Sequence, residues 1–315
     1  MRYALLFPGQ GSQQAGMGLA LAAAHPAARA ALEEADAALG DELRLLDLLR
    51  QGSAEELQRT ANAQPAILAA SVAAFRAFAA VGKPPPTFFA GHSLGEWSAL
   101  VAAGSLSLAD GVRAVRARGR FMQEAVPAGE GAMTAIVGAP FEAVRDACAE
   151  TEALLPGRTA QPANHNAPDQ TVISGHTDAV DTAAAAAKAR GARRAVKLQV
   201  SAPFHCRLMA PVQPRLAEVL RPLWFRAPSA PLVANVTAQP DADAARIAPL
   251  LLEQVTATVR WCDSIRRMVS GGVELFIEMG PGEVLSGLVQ RIAPGVRSIS
   301  VSDPDRLEEA LALLA

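Results

Sequence analysis

The stretch TFFAGHSLG, residues 87–95, joins a short apolar run to a Gly-x-Ser-x-Gly turn. The apolar run predicts a buried strand over Thr87–Ala90, and the residues after the turn predict a helix from Ser93 to about Ala103, before Gly104. A strand, a tight glycine turn and a helix in this order are typical of an open α/β sheet with parallel strands. This stretch therefore predicts an α/β fold.

The position of Ser93 in this turn is typical of a nucleophile. The flanking glycines have a steric reason, because a side chain at position 91 or 95 would collide with the neighbouring strand or helix. The turn would raise the Ser93 hydroxyl out of the sheet and hold it at a helix N-terminus, where free N–H groups favour developing negative charge. The alternative is a helix cap with Ser93 as the N-cap residue. The strand before the turn and the helix after it favour the nucleophile.

Composition limits the possible function classes. Half of the 315 residues are hydrophobic and 19% are charged, so the chain can form a core and is not expected to be disordered. A formal net charge of −2 argues against a nucleic-acid-binding protein, which would carry a basic surface. No signal peptide is apparent, and no apolar run approaches the roughly 18 residues that span a membrane. The cysteines Cys148, Cys206 and Cys262 are far apart, which argues against a disulfide framework or a zinc ribbon and fits a reducing cytoplasm.

The middle of the chain has a different pattern from its two ends. At the ends, the sequence predicts strands at Tyr3–Phe7, Pro231–Val236 and Glu274–Glu278 and helices over 27–39, 54–80, 108–125 and 244–254. In the middle it predicts strand Ala132–Gly138, helix Phe141–Glu150, strands near 160–165 and at Thr171–Ser174, helix 178–190 and strand Ala195–Val200. The order β-α-β-β-α-β is the ferredoxin-like unit. We therefore expect a small ferredoxin-like α+β domain, residues 130–202 with its second boundary near Ser201, inserted into a large domain of residues 1–129 and 203–315.

A nucleophilic serine needs a base, and the chain has five histidines. Four of them are poorly placed: His92 beside the serine, His25 before a proline, and His165 and His176 in the small domain. His205 lies in a loop where the chain re-enters the large domain, which makes it the best base by position, although a structural histidine is an equal alternative. No acid is clearly placed to orient His205, so we expect a backbone carbonyl to hold its Nδ1–H. Cys206 as nucleophile is a minor alternative, because nothing nearby indicates a lowered thiol pKa.

The helix predicted over 108–125 carries four arginines. Arg113, Arg116 and Arg120 share one face, which we interpret as exposed to solvent. Arg118 lies at the edge of the opposite, apolar stripe and is expected to be partly buried. A buried guanidinium needs a carboxylate, which could belong to an internal ion pair or to a substrate bound bidentately. The helix pattern leaves these two possibilities open.

The loop FPGQGSQ, residues 7–13, follows the first predicted strand. Its glycines leave the backbone N–H of Gln10 exposed. A hydrolase-like sheet takes one oxyanion-hole N–H from the residue after the nucleophile, here Leu94, and another from a strand-end loop. Gln10 is a candidate for that second donor, and a plain βα turn is the alternative. No Lys-Ser/Thr pair follows the glycines, so a nucleotide site is not expected.

Six blocks of sequence occur in order across nearly the whole chain. They are FPGQGSQ at 7–13, GHSLGE at 91–96, Arg118-Gly119 with Met122-Gln123, ANHN at 163–166, Phe204-His205 and EMGPG at 278–282. Together they resemble the malonyl-CoA:acyl-carrier-protein transacylase family. The resemblance implies Ser93 as nucleophile, His205 as base, and the Gln254 backbone carbonyl as the group that orients the histidine. It implies the N–H groups of Gln10 and Leu94 as the oxyanion hole. It also implies Arg118 as the ligand of the malonyl carboxylate, with Asn166 and Phe204 as further substrate contacts. Phe204 before the histidine resembles the malonyl-selective members.

The resemblance also implies a fold and a reaction. The fold is a hydrolase-like large domain with a mostly parallel sheet and the inserted ferredoxin-like domain. The reaction moves a malonyl group from malonyl-CoA to the phosphopantetheine thiol of an acyl carrier protein, by ping-pong through a malonyl-serine ester and without metal or cofactor. We expect a cytoplasmic monomer that serves fatty acid biosynthesis. The alternatives are an acyltransferase of polyketide synthesis or of malonate decarboxylase and, less favoured, a serine thioesterase.

A carrier protein with an acidic surface would need a basic docking patch. Arg190, Arg193, Arg194 and Lys197 are weak candidates for it, and a solvated surface is the favoured interpretation of these four residues.

Overall fold

Two β-sheets organise the molecule, in a computed structural model that describes residues 1–200 and 202–314. The strands are β1 (Tyr3–Phe7), β2 (Phe88–Gly91), β3 (Gly131–Val137), β4 (Ala160–Ala167), β5 (Gln170–His176), β6 (Arg194–Lys197), β7 (Leu232–Val233), β8 (Pro240–Asp241), β9 (Leu275–Met279) and β10 (Arg297–Val301). The helices are α1 (Leu19–Ala24), α2 (Pro26–Leu39), α3 (Leu45–Gln51), α4 (Ala54–Gln58), α5 (Thr60–Ala79), α6 (Leu94–Ala102), α7 (Leu108–Glu124), α8 (Phe141–Leu154), α9 (Thr177–Ala189), α10 (Val212–Leu220), α11 (Ala244–Gln254), α12 (Trp261–Ser270), α13 (Val284–Ile292) and α14 (Pro304–Ala312). Short 3-10 helices lie at Gly40–Glu42 and Arg207–Met209.

The larger sheet has the strand order β10-β9-β1-β2-β7-β8. Its first five strands are parallel to their neighbours, and β8 is antiparallel to β7. Along β1, Leu5 and Phe7 belong to one apolar cluster, whereas Ala4 and Leu6 belong to another. Alternate side chains of a strand lie on opposite faces, so both faces of this sheet are covered. This explains why β1 is apolar at every position, and it confirms the predicted α/β class with a mostly parallel sheet.

The smaller sheet has the strand order β4-β5-β3-β6, with antiparallel pairs throughout. Helices α8 and α9 cover one face, with Ile136 and Ile173 of the sheet in the cluster between them. The other face carries Met133, Ala135 and Val172, which join the core of the larger sheet. The order β3-α8-β4-β5-α9-β6 is the predicted ferredoxin-like unit. The same three residues line one cleft with Gln10 and Ser93, which follow the carboxyl ends of β1 and β2, so this apolar face lies over that edge of the larger sheet.

Main-chain hydrogen bonds join the smaller sheet to the rest of the molecule. The N–H of His165 donates to the Val259 carbonyl at 2.9 Å, and the N–H of Val259 donates to the Ala163 carbonyl at 2.8 Å. Arg291 of α13 also donates to Asp169 at 2.5 Å. The elements of the smaller sheet span Gly131 to Lys197. The division into domains 130–202 and 1–129 with 203–315 stays a prediction, and Ser201 and Ala315 lie outside the described residues.

Several predicted elements differ in extent from the observed ones. The helix predicted over 54–80 is two helices, because Arg59 has an extended ψ of 121° between α4 and α5. The strand predicted at Pro231–Val236 is only Leu232–Val233, and the one predicted at Ala195–Val200 ends at Lys197. The sequence patterns did not predict α1, α3, α10, α12, α13, α14, β8 or β10. Among the described residues, no helix combines the length and the apolar composition needed to cross a membrane.

Candidate active site

The turn between β2 and α6 holds Ser93 in a strained backbone conformation, with φ 53° and ψ −109°. A Cβ at position 91 would lie 1.9 Å from the carbonyl carbon of Gly95, and a Cβ at position 95 would lie 1.9 Å from the carbonyl oxygen of Phe7. Both positions therefore need glycine, for the steric reason that the turn suggested. The Ser93 side chain forms no capping hydrogen bond with α6, which argues against the helix-cap alternative.

His205 lies directly against this serine. Its Nε2 is 2.7 Å from Ser93 Oγ, and its Nδ1 is 2.8 Å from the backbone carbonyl oxygen of Gln254. A carbonyl oxygen can only accept, so Nδ1 carries the proton and Nε2 is left to accept from the serine hydroxyl. Burial, together with the nearby charge of Arg118, lowers the pKa of His205 to about 3. The imidazole is therefore neutral near neutral pH, the state that a general base requires.

Arg118 is fully buried, with only 1% of its surface exposed. Its Nη1 donates to Gln64 Oε1 at 2.8 Å, and its Nη2 donates to Gln254 Oε1 at 3.0 Å and lies 3.4 Å from Ser93 Oγ. No carboxylate of the described residues lies within 4.0 Å of the guanidinium, and its Nε has no partner among them. Burial lowers the pKa of Arg118 to about 10, so the group stays cationic. The direct internal ion pair is therefore absent, and a cation faces the serine with donors to spare.

A buried polar network supports these three side chains. The Gln254 amide Nε2 donates to Glu96 Oε2 at 2.9 Å and to the Ser93 carbonyl at 3.1 Å. Asn235 accepts from the Ser93 N–H at 2.7 Å, donates to the Gly91 carbonyl at 2.7 Å, and gives its own N–H to Glu96 at 3.0 Å. Burial raises the pKa of Glu96 to about 7. Neither Glu96 nor Asn235 was predicted from the sequence as a site residue. For Asn235 a signal was available, because it is a polar residue inside the apolar stretch LVANV, residues 232–236.

The two candidate oxyanion-hole amides lie on adjacent loops. Leu94 is the first residue of α6, where backbone N–H groups have no helical partner. Gln10 follows Gly9, at which a Cβ would lie only 2.4 Å from the His92 carbonyl oxygen, so the two loops are in contact. Within residues 1–200 and 202–314, neither the Gln10 nor the Leu94 N–H has a backbone partner. Both are therefore available to an oxygen placed near Ser93.

A cleft of about 380 Å³ lies between the two sheets and includes Ser93, His205, Arg118 and both amide-bearing residues. This volume is in the range of small-molecule sites. Asn166 and Phe204, the two further candidates, also line it. Asn166 Oδ1 is 2.8 Å from His92 Nε2, so the side chain of His92 does leave the turn, toward the smaller sheet. The fold thus brings all eight predicted site residues to one cleft or its wall, with Gln254 behind His205.

The remaining candidates lie elsewhere or have other partners. His165 packs on the ring of Phe141, and His176 accepts a hydrogen bond from the Thr159 N–H. Cys206 is fully buried, and burial raises the pKa of its thiol, which argues against a nucleophilic role. The interpretation of Arg116 as solvent-exposed is wrong, because it is half-buried and donates to the carbonyl oxygens of Ala61 and Glu42 at 2.8 and 3.1 Å. No group of three or more possible metal ligands occurs among the described residues.

The larger sheet is mostly parallel and covered on both faces, and a serine on its strand-to-helix turn is hydrogen-bonded to a neutral histidine. These features place the protein in the class of hydrolase-like serine enzymes. The family described as Acyl transferase domain matches residues 4–303, and the chain belongs to this family of acyltransferases. It is similar to the malonyl CoA-acyl carrier protein transacylase of Bacillus subtilis (strain 168), with 47% identity over 99% of this chain and 97% of that protein. The transacylase of the same name from Salmonella typhimurium is 46% identical over 98% of this chain and 99% of its own length. Among solved structures, a malonyl-transacylase in complex with its type II PKS acyl-carrier protein matches with a TM-score of 0.95 and 42% identity, over 99% of this chain and 100% of that one.

Proposed function

We propose that this protein transfers a malonyl group from malonyl-CoA to the phosphopantetheine thiol of an acyl carrier protein, through a malonyl ester on Ser93. The observation that carries the proposal is the position of Arg118. It is a buried cation without a carboxylate partner among the described residues, and its Nη2 is 3.4 Å from the Ser93 hydroxyl oxygen. A carboxylate at the far end of a short acyl group would meet this cation while its thioester carbon meets the serine.

Acylation uses the pair Ser93 and His205. The serine oxygen attacks the thioester carbonyl while its proton moves to Nε2 of His205, 2.7 Å away. The Gln254 carbonyl keeps Nδ1 protonated and stabilises the imidazolium that forms. A bond from Ser93 Oγ to the acyl carbon forms and the C–S bond breaks. The thiolate of coenzyme A then takes the proton from His205.

The Gln10 and Leu94 N–H groups would hold the tetrahedral oxyanion. Each such donor typically accounts for about 3 kcal/mol of barrier lowering. In the second half-reaction the carrier's thiol gives its proton to His205 and attacks the same ester. The bond from the acyl carbon to Ser93 Oγ breaks, and the serine oxygen takes the proton back from His205, so one set of groups serves both steps. Asn166 and Phe204 line the cleft and would contact the bound acyl thioester.

We infer the biological setting from the relatives. The curated relatives are malonyl CoA-acyl carrier protein transacylases, which fits fatty acid biosynthesis. A polyketide role is the second candidate, because the structural relative described above is bound to a type II PKS carrier. We further propose a cytoplasmic monomer that takes malonyl-CoA and a carrier protein as partners and binds no nucleic acid. Residues 130–202 would form the smaller domain.

The test is direct detection of the acyl-enzyme. The purified chain is mixed with malonyl-CoA, its intact mass is recorded, and the modified peptide is sequenced by mass spectrometry. We expect one malonyl group on Ser93, none in Ser93→Ala, and normal labelling in Ser98→Ala, a buried serine of the same helix. Adding purified fatty-acid or polyketide carrier proteins then shows which one removes the label. Transfer that proceeds without mass gain at Ser93 would refute the covalent route.

A further inference from the structure

Glu96 is a buried carboxylate that the proposed reaction leaves unused. It is 2% exposed and lies on α6, three residues after Ser93. Its Oε2 accepts from the Asn235 N–H at 3.0 Å and from Gln254 Nε2 at 2.9 Å. The other end of the same Gln254 amide, Oε1, accepts from Arg118 Nη2 at 3.0 Å. One amide therefore separates a buried anion from the buried cation of the site.

Because of this separation, the positive charge of Arg118 is only partly compensated by the negative charge of Glu96. Along the amide, the carboxylate oxygen and the guanidinium nitrogen are on the order of 8 Å apart at most. A carboxylate in direct contact would occupy the donors of Arg118, whereas one held behind an amide leaves them open to a ligand. Its negative charge still acts on an anion bound at the far edge of Arg118, because fields are weakly screened inside a protein.

We propose that Glu96 is a positioning residue. Acting across the Gln254 amide, its negative charge lowers the affinity of Arg118 for the malonyl carboxylate. The inference rests on the proposed function. A transacylase must release its acyl group to a second thiol, so a hold that is too tight would trap the intermediate. At about 10 Å and an effective dielectric constant of about 20, one unit charge changes the affinity for another by roughly tenfold.

The effect depends on the charge of Glu96, which should change near neutral pH because burial raises its pKa to about 7. Arg118 approaches Glu96 from α7, and Asp241 and Asp243 line a small cavity on its other side. Asp241 is paired with Arg246 at 2.8 Å, and Asp243 caps α11 by accepting from the Ala245 N–H at 2.9 Å. Protonation of Glu96 would strengthen malonyl binding, so the affinity should fall as the pH rises.

The first experiment uses the unaltered chain. Acylation of Ser93 by malonyl-CoA and by acetyl-CoA is followed at pH 6 and pH 8, and the ratio of their KM values is compared. Acetyl-CoA shares every group of malonyl-CoA except the carboxylate, so titrations common to both donors cancel. We expect the KM for malonyl-CoA to rise roughly fivefold relative to that for acetyl-CoA between pH 6 and pH 8, since the full tenfold effect needs complete titration of Glu96 in both the free and the bound state. A ratio that does not change with pH overturns the proposal.

The second experiment uses Glu96→Gln. The fixed Asn235 N–H requires an acceptor, so the new amide would place its oxygen at the position of Oε2 and keep both hydrogen bonds while losing the charge. We expect a KM ratio that is independent of pH, with a malonyl KM at pH 8 roughly fivefold below that of the unaltered chain. A merely structural role would instead raise both KM values together, which also overturns the proposal. If this variant does not fold, the measurement on the unaltered chain still decides.

Glu278→Gln is the matched control. Glu278 is also fully buried, and burial raises its pKa to about 7, but it lies on β9 and accepts from the N–H groups of Leu285 and Ser286. This variant should keep the pH-dependent ratio of the unaltered chain. Failure of the proposed function is distinguishable, because the intact mass would then show no malonyl group at any pH and the inference would fail with it.

Discussion

Replacing Arg118 by alanine should slow the proposed malonyl transfer and lower the preference for malonyl-CoA over acetyl-CoA. The guanidinium is fully buried, and its Nε has no partner among the described residues. Removing a buried cation from a hydrogen-bonded charge pair typically costs 2–5 kcal/mol, or about 30-fold to several thousand-fold in kcat/KM for malonyl-CoA. The methyl end of an acetyl group makes no such contact, so the acetyl reaction should not lose this amount.

A second effect of the same change acts on the base. The charge of Arg118 is, after burial, the next cause that lowers the pKa of His205. Without that charge the pKa of the imidazole rises, which makes Nε2 a stronger base toward the Ser93 hydroxyl. Acylation by acetyl-CoA should therefore be unchanged or faster, and the malonyl-to-acetyl preference should fall by two to three orders of magnitude.

Single-turnover acylation, followed by intact mass with each donor, measures both effects. The variant will be less stable, because the side-chain oxygens of Gln64 and Gln254 lose their donor at about 1–3 kcal/mol each. Its fold must therefore be checked by circular dichroism before rates are compared. Arg113→Ala on the exposed face of α7 is the matched control and should behave as the unaltered chain. A folded Arg118→Ala variant with malonyl rates within threefold of the unaltered chain would refute the reasoning.

Three further outcomes are expected. His205→Gln should slow acylation of Ser93 by about 10²- to 10⁴-fold in a stopped-flow or quench assay, with normal rates refuting its role as base. Because the pKa of His205 is lowered to about 3, its neutral form persists as the pH falls from 8 to 5. Protonation of His205 should therefore not slow acylation by acetyl-CoA over that range. A tenfold loss of rate would contradict this expectation. Gly95→Ala should lower the melting temperature sharply or prevent folding, because its Cβ would lie 1.9 Å from the Phe7 carbonyl oxygen. Gly287→Ala in α13 is the control, and since no atom lies within 4 Å of its Cβ it should be neutral or stabilising by up to about 1 kcal/mol. Equal melting temperatures for the two variants would contradict this prediction and show that the turn can relax.

Local chemistry explains which parts of the fold were predictable. The turn at residues 91–95 could be interpreted because its steric demands lie within five consecutive residues. The ferredoxin-like order was readable because each strand and helix of that unit has its own apolar pattern. In contrast, β7 keeps only two residues in the sheet, since Asn235 leaves it to bond Gly91 and Ser93. The pattern of a strand does not show where a distant partner will end it.

The candidate site also has features that could be predicted from the sequence and features that could not. His205 was chosen by position alone, and nothing local to it shows that Gln254 will supply the carbonyl at 2.8 Å. The burial of Arg118 followed from the helix period, but its surroundings depend on three other segments of the chain, which supply Gln64, Ser93 and Gln254. Glu96 was noticed only as part of a motif, because a single glutamate on a helix gives no sign that it will be buried beside an amide. Long-range hydrogen bonding set these features, and periodicity carries no information about it.

The backbone angles of two residues have a consequence for protein engineering. Ser93 and His205 both have positive φ, at 53° and 58°, where a side chain is strained and glycine is not. Glycine at position 93 should relieve on the order of 1 kcal/mol of backbone strain. At position 205 the lost packing and hydrogen bonds of the buried imidazole outweigh that relief. A mutant library selected only for heat resistance would therefore enrich inactive variants with glycine at position 93. Thermostabilisation of this protein should keep Ser93 and His205 unchanged, or select for catalytic turnover together with heat resistance.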